Sequence, residues 1–196
     1  MLETVIFLKP WRCFKEDEVI EFKLGVNLIV GDQGTGKSSL FQAIQVKGMK
    51  KPRSWNLPQT DSIPVEIVAK DIPVFAFDFE HDSPRTKAWF DDDIDFHMKS
   101  MFHSHGQMVT AIIDAWLRID KPWLVLVDEP DTALSIRSCH KLVRAFRHIS
   151  FMGGQVIATA HNPIVIAGFE EVYSLDHHQW MPSQEFIASQ ETQGSN

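Results

Sequence analysis

Eight residues constrain this chain more than any others: Gly31-Asp32-Gln33-Gly34-Thr35-Gly36-Lys37-Ser38. An apolar run, Val26 to Val30, precedes them, and Leu40, Phe41 and Ile44 follow at the spacing of one helix face. Strand, glycine-rich turn and helix form the context that a phosphate-binding P-loop requires. Gly31, Gly34 and Gly36 let the backbone turn back tightly, so that successive N–H groups point into one concavity. The helix starting there adds the positive end of its dipole. Lys37 is expected to reach the β- and γ-phosphates of a nucleotide, and the Ser38 hydroxyl to take one position on Mg²⁺. A chain built on this stretch is expected to be an α/β protein that binds a nucleoside triphosphate.

Its 196 residues suit one domain with a sizeable core. The formal net charge of -7 means that the surface as a whole does not attract nucleic acid. Cys13 and Cys139 show no metal spacing and read as reduced thiols of a cytoplasmic protein. Met1-Leu2-Glu3-Thr4 lacks the basic and apolar regions of a signal peptide. No apolar run approaches the roughly 20 residues of a membrane span, so no membrane partner is expected.

Thr4 to Leu8 and Val19 to Phe22 read as short strands, and Lys23-Leu24-Gly25 turns the chain into the strand that feeds the P-loop. Between them lies Trp11-Arg12-Cys13-Phe14, which allows two readings. Trp11 and Phe14 belong to the core of a small antiparallel sheet, or they approach an adenine while Arg12 approaches phosphate. Lys47 to Arg53 is the basic cluster, either a solvated loop or a nucleic-acid contact through Lys47, Lys50, Lys51 and Arg53. Val65 to Val68 and Val74 to Phe77 read as strands. Frequent prolines from Pro52 to Pro84 and the absence of heptads exclude a long coiled coil. Asp91 to Asp95 lacks the glycine and final glutamate of a calcium loop and reads as an acidic surface or helix start. His97, His103, His105 and the pair His177-His178 lack the regular pattern of a zinc site.

Val109, Ile112, Ile113, Trp116 and Leu117 mark an amphipathic helix whose N-terminus falls at Ser104-His105-Gly106-Gln107. Trp123 to Val127 is a continuous apolar run, as expected of a central parallel strand buried on both faces. Ser135 caps a helix buried through Cys139, Leu142, Val143 and Phe146. Gln155 to Ala160 forms another strand, Glu171 to Leu175 is read as the last, and residues 189–196 as a disordered tail. Ligands of open α/β sheets sit beyond the carboxyl ends of the strands. Three such ends carry polar chemistry: the P-loop, Asp128-Glu129 and His161. Asp128 stands where Mg²⁺ needs a second partner. Glu129 can act as general base on the water that attacks the γ-phosphate. His161 can hydrogen-bond that phosphate or that water.

The order P-loop, Ser-His-Gly-Gln, Asp128-Glu129-Pro130-Asp131-Thr132-Ala133-Leu134-Ser135, then His161 resembles the ABC-type ATPases. Within them it is similar to the RecF and structural-maintenance-of-chromosomes branch. It is most similar to the small stand-alone ATPases of bacteria and phages with Ser-His-Gly before a helix and His-(Ser/Asn)-Pro at the switch. The resemblance covers Val5 to Leu175. It implies a P-loop NTPase fold with a mostly parallel central sheet flanked by helices, plus a small N-terminal antiparallel β subdomain. One domain is expected over residues 1–188, with a variable segment at 47–100.

By the same resemblance, Gly31, Asp32, Gln33, Gly34, Thr35, Gly36, Lys37, Ser38 and Ser39 form the Walker A loop. Leu124 to Asp128 is the Walker B strand, Ser38 and Asp128 hold Mg²⁺, and Glu129, His161 and Lys37 serve catalysis. Ser104, Gly106 and Gln107 match the signature that contacts the γ-phosphate held by an opposite subunit, and Asp131 to Ser135 the D-loop. This implies a head-to-tail homodimer enclosing two ATP molecules, which hydrolyses ATP and acts on an effector protein in nucleic-acid processing or phage-related defence. Alternatives are a transporter ATPase subunit and a nucleotide-gated interaction module. The chain departs from the family at His105 and Gln33. It also lacks an evident glutamine between Walker A and the signature, for which Asp78 or Glu80 is the candidate substitute.

Overall fold

The computed structural model describes residues 1–48, 63–70, 74–78 and 105–193. The strands are β1 (Leu2–Phe7), β2 (Glu18–Glu21), β3 (Gly25–Val30), β4 (Val65–Ala69), β5 (Val74–Asp78), β6 (Leu124–Asp128), β7 (Gln155–Thr159), β8 (Glu171–Ser174) and β9 (Gln179–Pro182). The helices are α1 (Lys37–Gly48), α2 (His105–Trp116), α3 (Ile136–Phe151), α4 (Pro163–Ile166) and α5 (Ser183–Gln193). Among the described residues the central sheet has six strands in the order β5-β6-β7-β3-β8-β9, parallel except for β9. A second sheet, β2-β1-β4, is antiparallel. It is not wholly N-terminal, because β4 returns from beyond α1 to pair with β1.

Strands β6 and β7 are buried at every position and apolar through their middles, because both faces are covered. Along β6, Val125 and Val127 join one core with Leu28 and Val30 of β3 and Leu142, Phe146 and Ile149 of α3. Leu124 and Leu126 join the opposite core, with Ile29, with Leu40 and Ile44 of α1, and with Val5 and Phe7 of the small sheet. The period of two thus splits one strand between two cores. Helix α3 starts where Ser135 accepts a hydrogen bond from the Ser138 N–H (3.3 Å). Its buried stripe is Cys139, Leu142, Val143, Ala145, Phe146 and Ile149.

Two buried amides fasten the small sheet to the large one. The Gln155 side chain accepts from the Leu2 N–H (2.8 Å) and donates to Leu2 O (2.8 Å) and Lys23 O (2.9 Å). Asn27 accepts from the Lys23 N–H (2.7 Å) and donates to Val156 O (3.2 Å). Such groups must be paired in the interior, so their bonds fix how the start of β1 and the β2–β3 turn sit against β7.

The chain end differs from expectation twice. Glu171 to Leu175 is followed by β9, which pairs antiparallel with β8 (Tyr173 opposite Trp180). Residues 189–193 are helical in α5, not a disordered tail: Phe186 anchors the helix in the core, and the Ser189 and Thr192 hydroxyls donate to Phe186 O and Ser189 O (2.7 and 2.8 Å). The readings for Lys50 to Arg53, Asp91 to Asp95, His97 and His103 lie outside the described residues.

Candidate nucleotide site

The P-loop leaves β3 at Gly31 and enters α1 at Lys37. Gly34 and Gly36 have φ of 86° and 104°, a region that glycine adopts freely. A Cβ on Gly36 would lie 2.1 Å from Cys13 Sγ and 3.3 Å from the Phe14 ring, so this glycine is also where the β1–β2 connection rests on the loop. Phe14 stacks on Phe7 with centroids 4.1 Å apart and is buried, while Trp11 is half-buried. Phe14 is therefore core. Arg12, in the turn between them, donates from Nη1 to Ser39 Oγ at 2.8 Å and lies over the Trp11 ring.

Lys37 is 6% exposed, and its ammonium donates to Gly31 O (2.7 Å) and Asp32 O (2.8 Å). Burial pushes its pKa down from the ordinary lysine value, against the pull of Glu129, Asp176, Asp128 and Asp32. A cavity of about 310 Å³ lies in front of it, lined by Gln33, Gly34, Gly36, Lys37, Ser38, Ser39, Glu129 and His161. A larger one, about 620 Å³, touches Gly31, Asp32 and Gln33 and extends to Phe186 and Ile187 of α5.

Opposite the loop, β6 ends at Asp128 and β7 at Thr159, on adjacent parallel strands. Glu129 takes φ 48°, a left-handed conformation unusual outside glycine. Its N–H donates to Thr159 Oγ1 (2.7 Å), and its Oε1 lies 3.0 Å from His161 Nε2. The Thr159 hydroxyl donates to Asp128 Oδ1 at 2.5 Å. Asp131 Oδ2 accepts from the N–H groups of His161 (2.8 Å) and Asn162 (2.6 Å), which pins the segment that carries His161. Asn162 then caps α4 by accepting from the Ile164 N–H.

Gln33, Gly34, Gly36, Lys37, Ser38, Ser39, Glu129 and His161 are thus gathered around one cavity, with Asp128 behind Glu129 and Arg12 at Ser39. Gly106 and Gln107 lie in the first turn of α2, while Ser104 and Glu80 fall outside the described residues. The backbone of Asp78 pairs with that of Asp128, which puts the end of β5 beside the end of β6. His178 meets Glu18 Oε1 at 2.7 Å, a bond between the β8–β9 turn and the small sheet.

Two contributors were missed by sequence reasoning: Thr159 and Asp176. The Asp32 N–H donates to the Asp176 carboxylate (3.1 and 3.2 Å), which holds the first turn of the P-loop. Each acts across strands, and no local pattern marks it.

The donor set fits Mg-ATP. The first N–H groups of α1 lack intrahelical partners by construction and face an anion, and Lys37 supplies a cation. The Ser38 hydroxyl and Asp128 carboxylate are hard oxygen ligands, as Mg²⁺ prefers. Among the described residues no group of three or more His, Cys, Asp or Glu could hold a metal alone.

Residues 6–85 match a family model described as an AAA domain. A nucleotide-free ATP-binding cassette from an ABC transporter superposes with a TM-score of 0.57 at 16% identity, covering 96% of each chain. The structural-maintenance-of-chromosomes head domain from Thermotoga maritima superposes with 0.55 at 19% identity, covering 88% of this chain and 94% of that one. This chain has the fold of an ABC-type ATPase head. A dimeric, post-hydrolysis ATP-binding cassette bound to ADP and phosphate is also similar, with a TM-score of 0.54 at 14% identity over 93% of this chain and 97% of that one. No protein of curated function matches the sequence. Within the ABC-type frame, the cavity between the P-loop and the ends of β6 and β7 is where the fold is expected to place nucleotide. Among the described residues no helix is long and apolar enough to cross a membrane.

Proposed function

We propose that this chain binds ATP with Mg²⁺ and hydrolyses it to ADP and phosphate, as a switch that closes head to tail on a second copy. The observation that carries the reading is the convergence of Lys37, Glu129 and His161 on one cavity, with Asp128 directly behind. Lys37 leaves the carbonyls of Gly31 and Asp32 to meet the β- and γ-phosphates, and the glycine backbone cradles them. Arg12 and Ser39 sit at the exit of the loop, toward the phosphates nearer the nucleoside. Ser38 and Asp128 would hold Mg²⁺, which would supply neutralisation of phosphate oxygens. Glu129 accepts a proton from water as the water oxygen attacks the γ-phosphorus and the bond to the ADP oxygen breaks. His161 holds the Glu129 carboxylate at 3.0 Å and so fixes where the base points.

Gly106 and Gln107, in the first turn of α2, would together with Ser104 meet the γ-phosphate of the partner copy, so that ATP joins two chains and hydrolysis releases them. Asp78 is the preferred substitute for the glutamine that is not evident between Walker A and the signature, since β5 ends beside Asp128. Ser104-His105-Gly106 and His161-Asn162-Pro163 support placement among the small stand-alone ATPases of the RecF-like branch. By analogy with that class the output goes to an effector protein, in nucleic-acid processing or defence. A transporter subunit is not favoured: the similar transporter structures are 14–16% identical and speak to fold alone.

Phosphate release from Mg-ATP tests the reading. Lys37→Ala should abolish ATP binding, and Glu129→Gln should keep binding while turnover falls by roughly 10²–10⁴-fold. Unchanged turnover in Glu129→Gln would remove the base assignment.

A further inference from the structure

We propose that Thr159 is the positioning residue of this site, one hydroxyl that sets both the metal carboxylate and the general base. The inference rests on the Mg-ATP hydrolase reading above. Thr159 is the last residue of β7 and 1% exposed. Strand register brings it there: Val127 pairs with Ala158, so the next residues, Asp128 and Thr159, leave the sheet side by side.

A hydroxyl carries one proton and two lone pairs. Thr159 gives its proton to Asp128 Oδ1 at 2.5 Å and accepts from the Glu129 N–H at 2.7 Å. The amide can only donate, so the hydroxyl accepts from Glu129 and is free to give its proton to the Asp128 carboxylate. Asp128 must be an acceptor at Oδ1, which leaves it an oxygen ligand of the kind Mg²⁺ requires.

The second bond acts on the backbone. Glu129 sits at φ 48°, and its amide is held in that orientation by Thr159, while its carbonyl accepts from the Thr132 N–H at 3.2 Å. A left-handed non-glycine residue persists only where its surroundings hold it. That conformation is what turns the side chain toward His161, away from the course of β6. Thr159 itself does not line the phosphate cavity. It acts through Asp128 and Glu129.

The test uses the full chain with Thr159→Val, which keeps the shape and removes the hydroxyl, and Thr159→Ser, which keeps the hydroxyl and removes the methyl. ATP affinity is measured by calorimetry with and without Mg²⁺, alongside the Mg²⁺ dependence of phosphate release. Thr159→Val should leave metal-free ATP affinity unchanged. It should lower the gain in affinity on adding Mg²⁺, and kcat, by about 10–100-fold, the range typical when a group that orients a metal ligand is removed. Thr159→Ser should restore both. If Thr159→Val unfolds at the assay temperature, Thr159→Cys, with its weak S–H donor, is read in its place and should fall between valine and serine. Wild-type metal dependence and kcat in Thr159→Val would overturn the inference, as would equal losses in the valine and serine variants, which would assign the residue to packing. A wild-type chain that binds no Mg-ATP would overturn the hydrolase reading and this inference with it.

Discussion

Tyr173 is the single tyrosine of the sequence, and it lies inside the core between the central sheet and the small one, 4% exposed. Burial raises its pKa from 10.0 to about 12, with the nearby Glu18 carboxylate adding to the shift. The unfolded phenol ionises near its ordinary value, so between pH 10.0 and about 12 the unfolded chain has lost a proton that the folded chain retains. Stability due to this group is intact below the unfolded value and is lost as pH rises through that window. Near-ultraviolet tyrosinate absorbance reads this one group. The folded chain should stay silent past the pH at which the urea-unfolded chain titrates; coincident curves would show that Tyr173 is solvated. Gly36 makes a related point about the loop. Its missing Cβ gives room to Cys13 Sγ, so the residue that lets the P-loop turn also lets the small sheet rest on it.

Helix α3 shows how an element couples the cores to the site. Its stripe was legible in the sequence, because Cys139, Leu142, Val143 and Phe146 recur at helical spacing after a serine cap. Phe146 is fully buried, with the Trp116 ring of α2 5.7 Å away and Phe169 at 6.4 Å. Phe146→Ala should cost about 3–5 kcal/mol in a urea melt, and a loss below about 1 kcal/mol would mean that α2 does not pack there. Strand β6 was equally legible, since a strand buried on both faces is apolar throughout. Strand β9 and helix α5 were not. Gln179-Trp180-Met181-Pro182 alternates too briefly and ends in a proline, tolerated because β9 is an edge. In α5 the apolar signal is confined to Phe186 and Ile187, and the remaining turns are polar.

At the scale of the whole molecule, what the sequence revealed of the site was its contiguous part: the P-loop, Asp128-Glu129 and His161. The linkages between those pieces were not legible, because they arise from strand order. Thr159 reaches Asp128 only because β7 lies beside β6. Asp176 reaches the Asp32 N–H only because β8 lies beside β3, with Leu175 bonded to Val30 O. Residues 31 and 144 positions apart meet at the ends of adjacent parallel strands, as ligand sites in such sheets do. On the proposed reading one chain would supply the P-loop, the base and the switch histidine, and the residues Ser104 to Gly106 would take a phosphate from a second copy. Pairing should therefore depend on nucleotide.

The central claim is tested most directly by the solution mass of Glu129→Gln with and without Mg-ATP. The account expects monomer without nucleotide and a doubled mass with it, abolished by adding Lys37→Ala and weakened by Ser104→Ala. A variant that binds Mg-ATP yet keeps the mass of one chain at every concentration would contradict the ATP-joined pair.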